Sequence, residues 1–185
     1  SVVPKGKLNY IMGNPPFIGY SLQSKEQKSD ILSTYVDEKG NSYKTAGKID
    51  YVAGWYFKAA ELMRGTAVHT AFVSTNSITQ GEQVAGVWKP LFERFNIHID
   101  FAYQTFRWDS EASAKAHVHC VIIGFSTLSN LSKRQLYCGN RVQFVTNINA
   151  YLLPTENIFI EGRTTPICNV PILQNGGKPT EGGNL

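Results

Sequence analysis

Cysteine is scarce in this chain. Cys120, Cys138 and Cys168 are odd in number and form no C-x-x-C pair, which argues against a disulfide framework and against a zinc knuckle. Long hydrophobic runs are lacking as well. The longest, such as Cys120-Val121-Ile122-Ile123, are far too short to cross a bilayer, and no basic-then-apolar leader opens the sequence, so a cytoplasmic protein is expected. Nor is there a basic stripe. The formal charge of +4 is compatible with a polyanionic partner, but Glu26, Asp37 and Glu38 lie in or beside the densest lysine stretches. Charge alone therefore does not define a nucleic-acid-binding protein.

Other chemistries lack their parts. Gly176-Gly177-Lys178 has no preceding strand, no phosphate-loop glycine spacing and no following Ser or Thr. Neither Ser74 nor Ser77 sits in a glycine elbow, which argues against acyl transfer. His117 and His119 would share one face of a strand beside Cys120, but no second cluster completes a ligand set, and no metal is expected.

What is present is enough for a core: 42% of the 185 residues are hydrophobic and 17% charged, as in one globular domain with the start of another. Residues 8–12 read as a short buried strand ending at Gly13, because Pro15 and Pro16 cannot donate to a sheet ladder. Residues 24–35 are moderately helical and 37–48 read as a surface loop. Asp50 is then placed to cap an amphipathic helix whose Val52, Trp55, Tyr56, Ala59, Ala60 and Met63 recur at helical spacing up to Gly65.

A second strand is expected over 70–75, and a helix over 84–95 that Pro90 bends or restarts. Residues 97–103 and 117–125 read as strands joined by a loop at 106–115, and the short link makes them an antiparallel hairpin. This alternation predicts an α/β fold whose early strands are parallel. After Ser126 the composition changes, with short strands near 136–138 and 142–145 and then much Asn, Pro and Gly, which places a boundary near Thr127.

Asn14-Pro15-Pro16-Phe17 is the most informative tetrad. Adenine's exocyclic amine is a poor nucleophile because its lone pair is delocalised into the ring. An Asn side-chain oxygen and the next main-chain carbonyl can each accept one amine hydrogen, which localises the pair in line with an incoming methyl group. Asn14 and Pro15 would be those acceptors. Pro15 and Pro16 stiffen the loop, and Phe17 offers a face for an extruded base. Average residue usage gives such a tetrad by chance in roughly one chain of this length in several hundred. Ligands of α/β sheets bind at the carboxyl ends of strands, where this tetrad would sit.

The tetrad resembles the fourth motif of class I S-adenosylmethionine-dependent methyltransferases that act on exocyclic amines. Similar tetrads occur in protein-glutamine and ribosomal RNA guanine methyltransferases, and a non-catalytic nucleic-acid-binding module with purely structural prolines is a further alternative. Phe106-Arg107-Trp108-Asp109-Ser110-Glu111-Ala112, with 116–125 after it, looks like the hairpin of the MmeI-like family of restriction-modification enzymes. Asp50-Tyr51 and Ser74-Thr75-Asn76-Ser77 echo two further stretches of that family, and Pro179 to Leu185 is similar to its entry into the target-recognition region.

The resemblance implies a DNA adenine methyltransferase of a bacterial restriction-modification enzyme, with S-adenosylmethionine as donor and double-stranded DNA with a flipped adenine as partner. Asn14, Pro15, Pro16 and Phe17 would be catalytic. From the residues themselves, Phe106 and Trp108 flanking Arg107 in a loop could touch an extruded base and a phosphate, or pack against the hairpin. The resemblance also implies a sheet running third, second, first, fourth, fifth, seventh, sixth strand, the seventh antiparallel. This chain would supply the fourth to seventh, the C-terminal half of a Rossmann-like class I methyltransferase sheet. Residues 1–126 would be the partial catalytic domain and 127–185 a connector and the start of target recognition.

One departure stands out. The glycine-rich loop for the methionine end of the cofactor, and the acidic residue for its ribose, precede the tetrad in this class, and the 13 residues before Asn14 contain neither. The chain by itself is thus expected to be inactive and to hold no cofactor. Its first strand would present an open apolar edge, to be paired with another molecule or buried under a rearranged tail.

Overall fold

Alternating apolar and polar residues build the strands, and i, i+3, i+4 spacing builds the helices packed on them. The computed structural model describes residues 4–108, 118–129, 133–162 and Cys168. In chain order the elements are β1 (Tyr10–Gly13), α1 (Lys25–Thr34), α2 (Ala53–Met63), β2 (His69–Thr75), α3 (Gly81–Phe95), β3 (His98–Trp108), β4 (Val118–Ser126), β5 (Arg134–Cys138) and β6 (Arg141–Val145). One mixed sheet holds all six strands in the order β1-β2-β4-β3-β5-β6. β1 runs parallel to β2 and β3 parallel to β5, while β4 is antiparallel to both its neighbours. The carboxyl ends of β1, β2, β3 and β5 therefore share one edge.

The core lies on one face of the sheet. Thr70, Phe72 and Ser74 stand opposite Phe125, Ile123 and Val121, and all are buried. Tyr56 of α2 stacks on Phe125 at 5.1 Å and meets the edges of Phe72 and Trp88 at 5.2 Å. Its hydroxyl lies 2.8 Å from Ser74 Oγ, which satisfies the polar tip; burial pushes the Tyr56 pKa well above its ordinary value. The Trp88 indole donates to Ile78 O at 2.8 Å, which fixes α3 over the turn after β2. α1 opens with a reciprocal pair between Ser24 and Gln27, each side chain accepting from the other's backbone N–H.

Four sequence expectations change. β1 is not buried: among the described residues it pairs only with β2, and Tyr10 and Met12 are 69% and 80% exposed. α3 runs unbroken through Pro90 from Gly81. Asp50 does not cap α2, which starts at Ala53 with no side-chain cap. Phe106 to Trp108 lie in β3 rather than in a loop, because register shifts let the ladder continue to Phe106↔Cys120, Arg107↔His119 and Trp108↔Val118. Beyond the boundary expected near Thr127, β5 adds beside β3, so residues on both sides of that point share one sheet. Asp109 to His117 and Pro179 to Leu185 lie outside the described residues.

Candidate active site

Asn14-Pro15-Pro16-Phe17 leaves β1 at the shared carboxyl edge, where the ladder ends at Gly13↔Phe72. The tetrad forms neither helix nor strand. Pro15 is buried and anchors the loop, whereas Asn14 is exposed and its side chain hydrogen bonds to no described residue. Its amide is thus free for a ligand. Phe17 is 36% exposed, enough ring face for a planar group to stack upon.

The loop is held from behind. Ile18 O accepts from Tyr51 N at 2.9 Å, and Tyr20 N donates to Asp50 Oδ1 at 3.0 Å. Asp50 Oδ2 accepts from Ser77 Oγ at 2.5 Å, and that hydroxyl lies 2.9 Å from Thr75 Oγ1. Asp50-Tyr51 and the Ser-Thr-Asn-Ser stretch, noted separately in the sequence, thus meet behind the tetrad. Tyr51 donates its hydroxyl to Asp30 Oδ2 at 3.0 Å; burial and that bond raise its pKa. Sequence reasoning missed these partners of Asp50, since a helix start three residues on offered its carboxylate a local use.

The other candidates lie further along the sheet edge. Phe106, Arg107 and Trp108 end β3 at the same edge as the tetrad, but three strand positions from β1, or about 14 Å. The Phe106 and Trp108 rings are 6.3 Å apart, Trp108 is 48% exposed, and Arg107 is exposed on the strand between them. The tetrad and these three residues thus lie along the same carboxyl edge of the sheet. Between them and β5, residues Thr79, Gln80, Gln104, Thr105, Tyr151 and Leu152 help line a cavity of about 520 Å³. Gln104 Nε2 donates to Leu152 O at 2.8 Å there.

The sheet order β1-β2-β4-β3, with β4 antiparallel and a loop at the end of β1, is the fourth, fifth, seventh and sixth strand of a class I methyltransferase sheet. This defines the C-terminal half of that Rossmann-like α/β fold. Residues 1–138 match the family model for the MmeI DNA-methyltransferase domain, and the chain belongs to that family. It is 41% identical over 176 residues to DNA methyltransferase A of Bacillus subtilis (strain 168), covering 95% of this chain and 19% of that protein. It is also similar to the Type IIL restriction-modification enzyme MmeI solved in complex with DNA, with a TM-score of 0.82 and 40% identity over 90% of this chain and 22% of that one. The chain spans about a fifth of the length of these relatives.

Proposed function

We propose that this chain is the acceptor-binding part of a DNA adenine methyltransferase that uses S-adenosylmethionine and works in a bacterial restriction-modification protein. The observation that carries the reading is the exposed, unbonded Asn14 amide beside buried Pro15 at the carboxyl end of β1. Asn14 Oδ1 and the Pro15 carbonyl each accept one hydrogen of the adenine amine, which pins the nitrogen and localises its lone pair. Phe17 stacks on the extruded base. Phe106, Arg107 and Trp108, at the same edge, contact the extruded base and a phosphate. The likeness to MmeI, solved with DNA, supports duplex DNA as the partner. The bacterial cytoplasm is the matching compartment; among the described residues no helix is long and apolar enough to cross a membrane.

S-adenosylmethionine would supply an electrophilic methyl group. The residues before the tetrad do not fit it: residues 1–13 hold no glycine-rich turn and no carboxylate for its ribose. The steps assigned to this chain therefore concern the base alone, and the chain in isolation is expected to show no micromolar cofactor binding in calorimetric titration. The direct test is Asn14→Ala in the complete protein. Loss of an aligned acceptor at a site of developing charge costs about a hundredfold or more, so methyl transfer to DNA should collapse while cofactor affinity persists. Transfer at the wild-type rate would refute the assignment.

A further inference from the structure

Asp50 is 6% exposed and belongs to no helix or strand. A buried carboxylate needs strong partners, because desolvation penalises its charge. Here the partners are the backbone N–H of Tyr20, three residues beyond Phe17, and the Ser77 hydroxyl in the turn after β2. We propose that Asp50 is a positioning residue: through Tyr20 and Ser77 it sets where the Asn14–Phe17 loop stands at the sheet edge. This deepens the reading of that loop as the base-holding tetrad and rests on it.

Three observations support a role in alignment. The loop from Asn14 to Gly19 has no ladder to fix it, so its position depends on the bonds that Asp50 and Tyr51 make to Tyr20 and Ile18. Asp50 is itself held by two glutamines. Its N–H donates to Gln83 Oε1 at 3.1 Å, Gln83 Nε2 donates to Lys48 O at 2.9 Å, and Gln23 Nε2 donates to Ile49 O at 2.9 Å. α3 also approaches this segment closely, since a Cβ at Gly86 would lie 2.9 Å from Ile49 Cγ2. The carboxylate is therefore aimed by the core and not by its own flexibility, and it joins the loops at the ends of two adjacent parallel strands, β1 and β2.

Misplacing a reacting group by about 1 Å can cost on the order of a hundredfold in rate. In the complete protein, Asp50→Ala should lower the single-turnover methyl-transfer rate roughly ten- to a hundredfold at saturating DNA and S-adenosylmethionine. A fluorescent adenine analogue at the target position should still report extrusion, because stacking on the Phe17 ring tolerates a shift that in-line transfer at Asn14 does not. Asp50→Asn should recover most of the rate: its oxygen can accept from Tyr20 N–H while its amide donates to Ser77 Oγ, whose proton turns to Thr75. Asp50→Ala and Ser77→Ala should be non-additive, since they break one bond between them.

Asp50→Ala transferring at the wild-type rate while Asn14→Ala is inactive overturns this inference and leaves the proposed function intact. Parallel loss of rate, cofactor affinity and denaturation midpoint in Asp50→Ala, with no rescue by Asn, also overturns it, since that is a scaffold defect. If Asn14→Ala transfers normally, the tetrad reading itself has failed.

Discussion

Two nearly buried carboxylates sit at opposite edges of the same sheet and are satisfied in different ways. Asp100, near the amino end of β3, meets cationic or ionisable groups: its Oδ1 accepts from Arg134 Nη1 at 3.2 Å, and its Oδ2 lies 3.1 Å from His69 Nδ1. Arg134 also donates to Ile99 O and Thr146 O. Asp50, at the carboxyl end, accepts from a backbone N–H and a hydroxyl. The ionic cluster ties strands that the ladders already hold. The neutral donors around Asp50 tie loops that have no ladder, and so they bear on the position of the tetrad.

If the proposed function holds, changes at the amino end affect stability and changes at the carboxyl end affect rate. The largest expected effect is on Asp100. Asp100→Ala leaves the buried Arg134 guanidinium without its carboxylate, and breaking a buried pair in this way costs roughly 3–5 kcal/mol. The denaturant midpoint should fall, while methyl transfer by the fraction still folded should stay at the wild-type rate. Equal losses of rate for Asp100→Ala and Asp50→Ala would erase the distinction.

Phe17→Ala sharpens the other side. Stacking of one base on an aromatic ring is worth about 1–3 kcal/mol, so capture of an extruded adenine analogue should weaken by that amount, with overall DNA affinity less affected. Phe17→Trp should be tolerated. An unchanged fluorescence signal in the alanine variant would remove Phe17 from the site.

A smaller effect belongs to His98, beside the ionic cluster. Burial, and next the Arg134 charge, lower its pKa below the ordinary 6.5, against an opposing pull from Asp100. The fold therefore favours neutral His98. Its contribution to stability is complete above pH 6.5 and declines as the pH falls through the lower folded-state value. A denaturation midpoint measured from pH 7.5 down to 5.5 should drop, and less so in His98→Gln. A midpoint that rises on acidification would contradict the assignment.

The least costly change is at the sheet's edge. Met12→Lys on β1 should leave the fold intact, because the side chain is 80% exposed, and should reduce self-association of the isolated chain by charging an open strand. Sedimentation of the two forms tests this, and equal association would show that the edge is not the contact.

Much of the fold was legible from local pattern. β2 alternates half-buried and buried residues along its whole length, and the apolar positions of α2 recur at helical spacing, so both could be read in short windows. The tetrad at a strand's end was legible too, because prolines stop a ladder wherever they occur. β1 was read as buried for a corresponding reason: an apolar strand looks the same whether or not both of its sides are covered.

The sequence by itself determined which segments become strands and helices, where β1 must stop, and that Asn14 and Phe17 flank two prolines. These depend on neighbours within a turn or two. Only the tertiary structure decided that β5 docks beside β3, that Phe106 to Trp108 stay in the ladder, and that Asp50 serves the tetrad's loop and not α2. Asp50's partners Tyr20 and Ser77 lie 30 and 27 residues away. A carboxylate offered a local cap and a distant pair of donors takes the pair that burial leaves it, and burial is a property of the assembled sheet and helices.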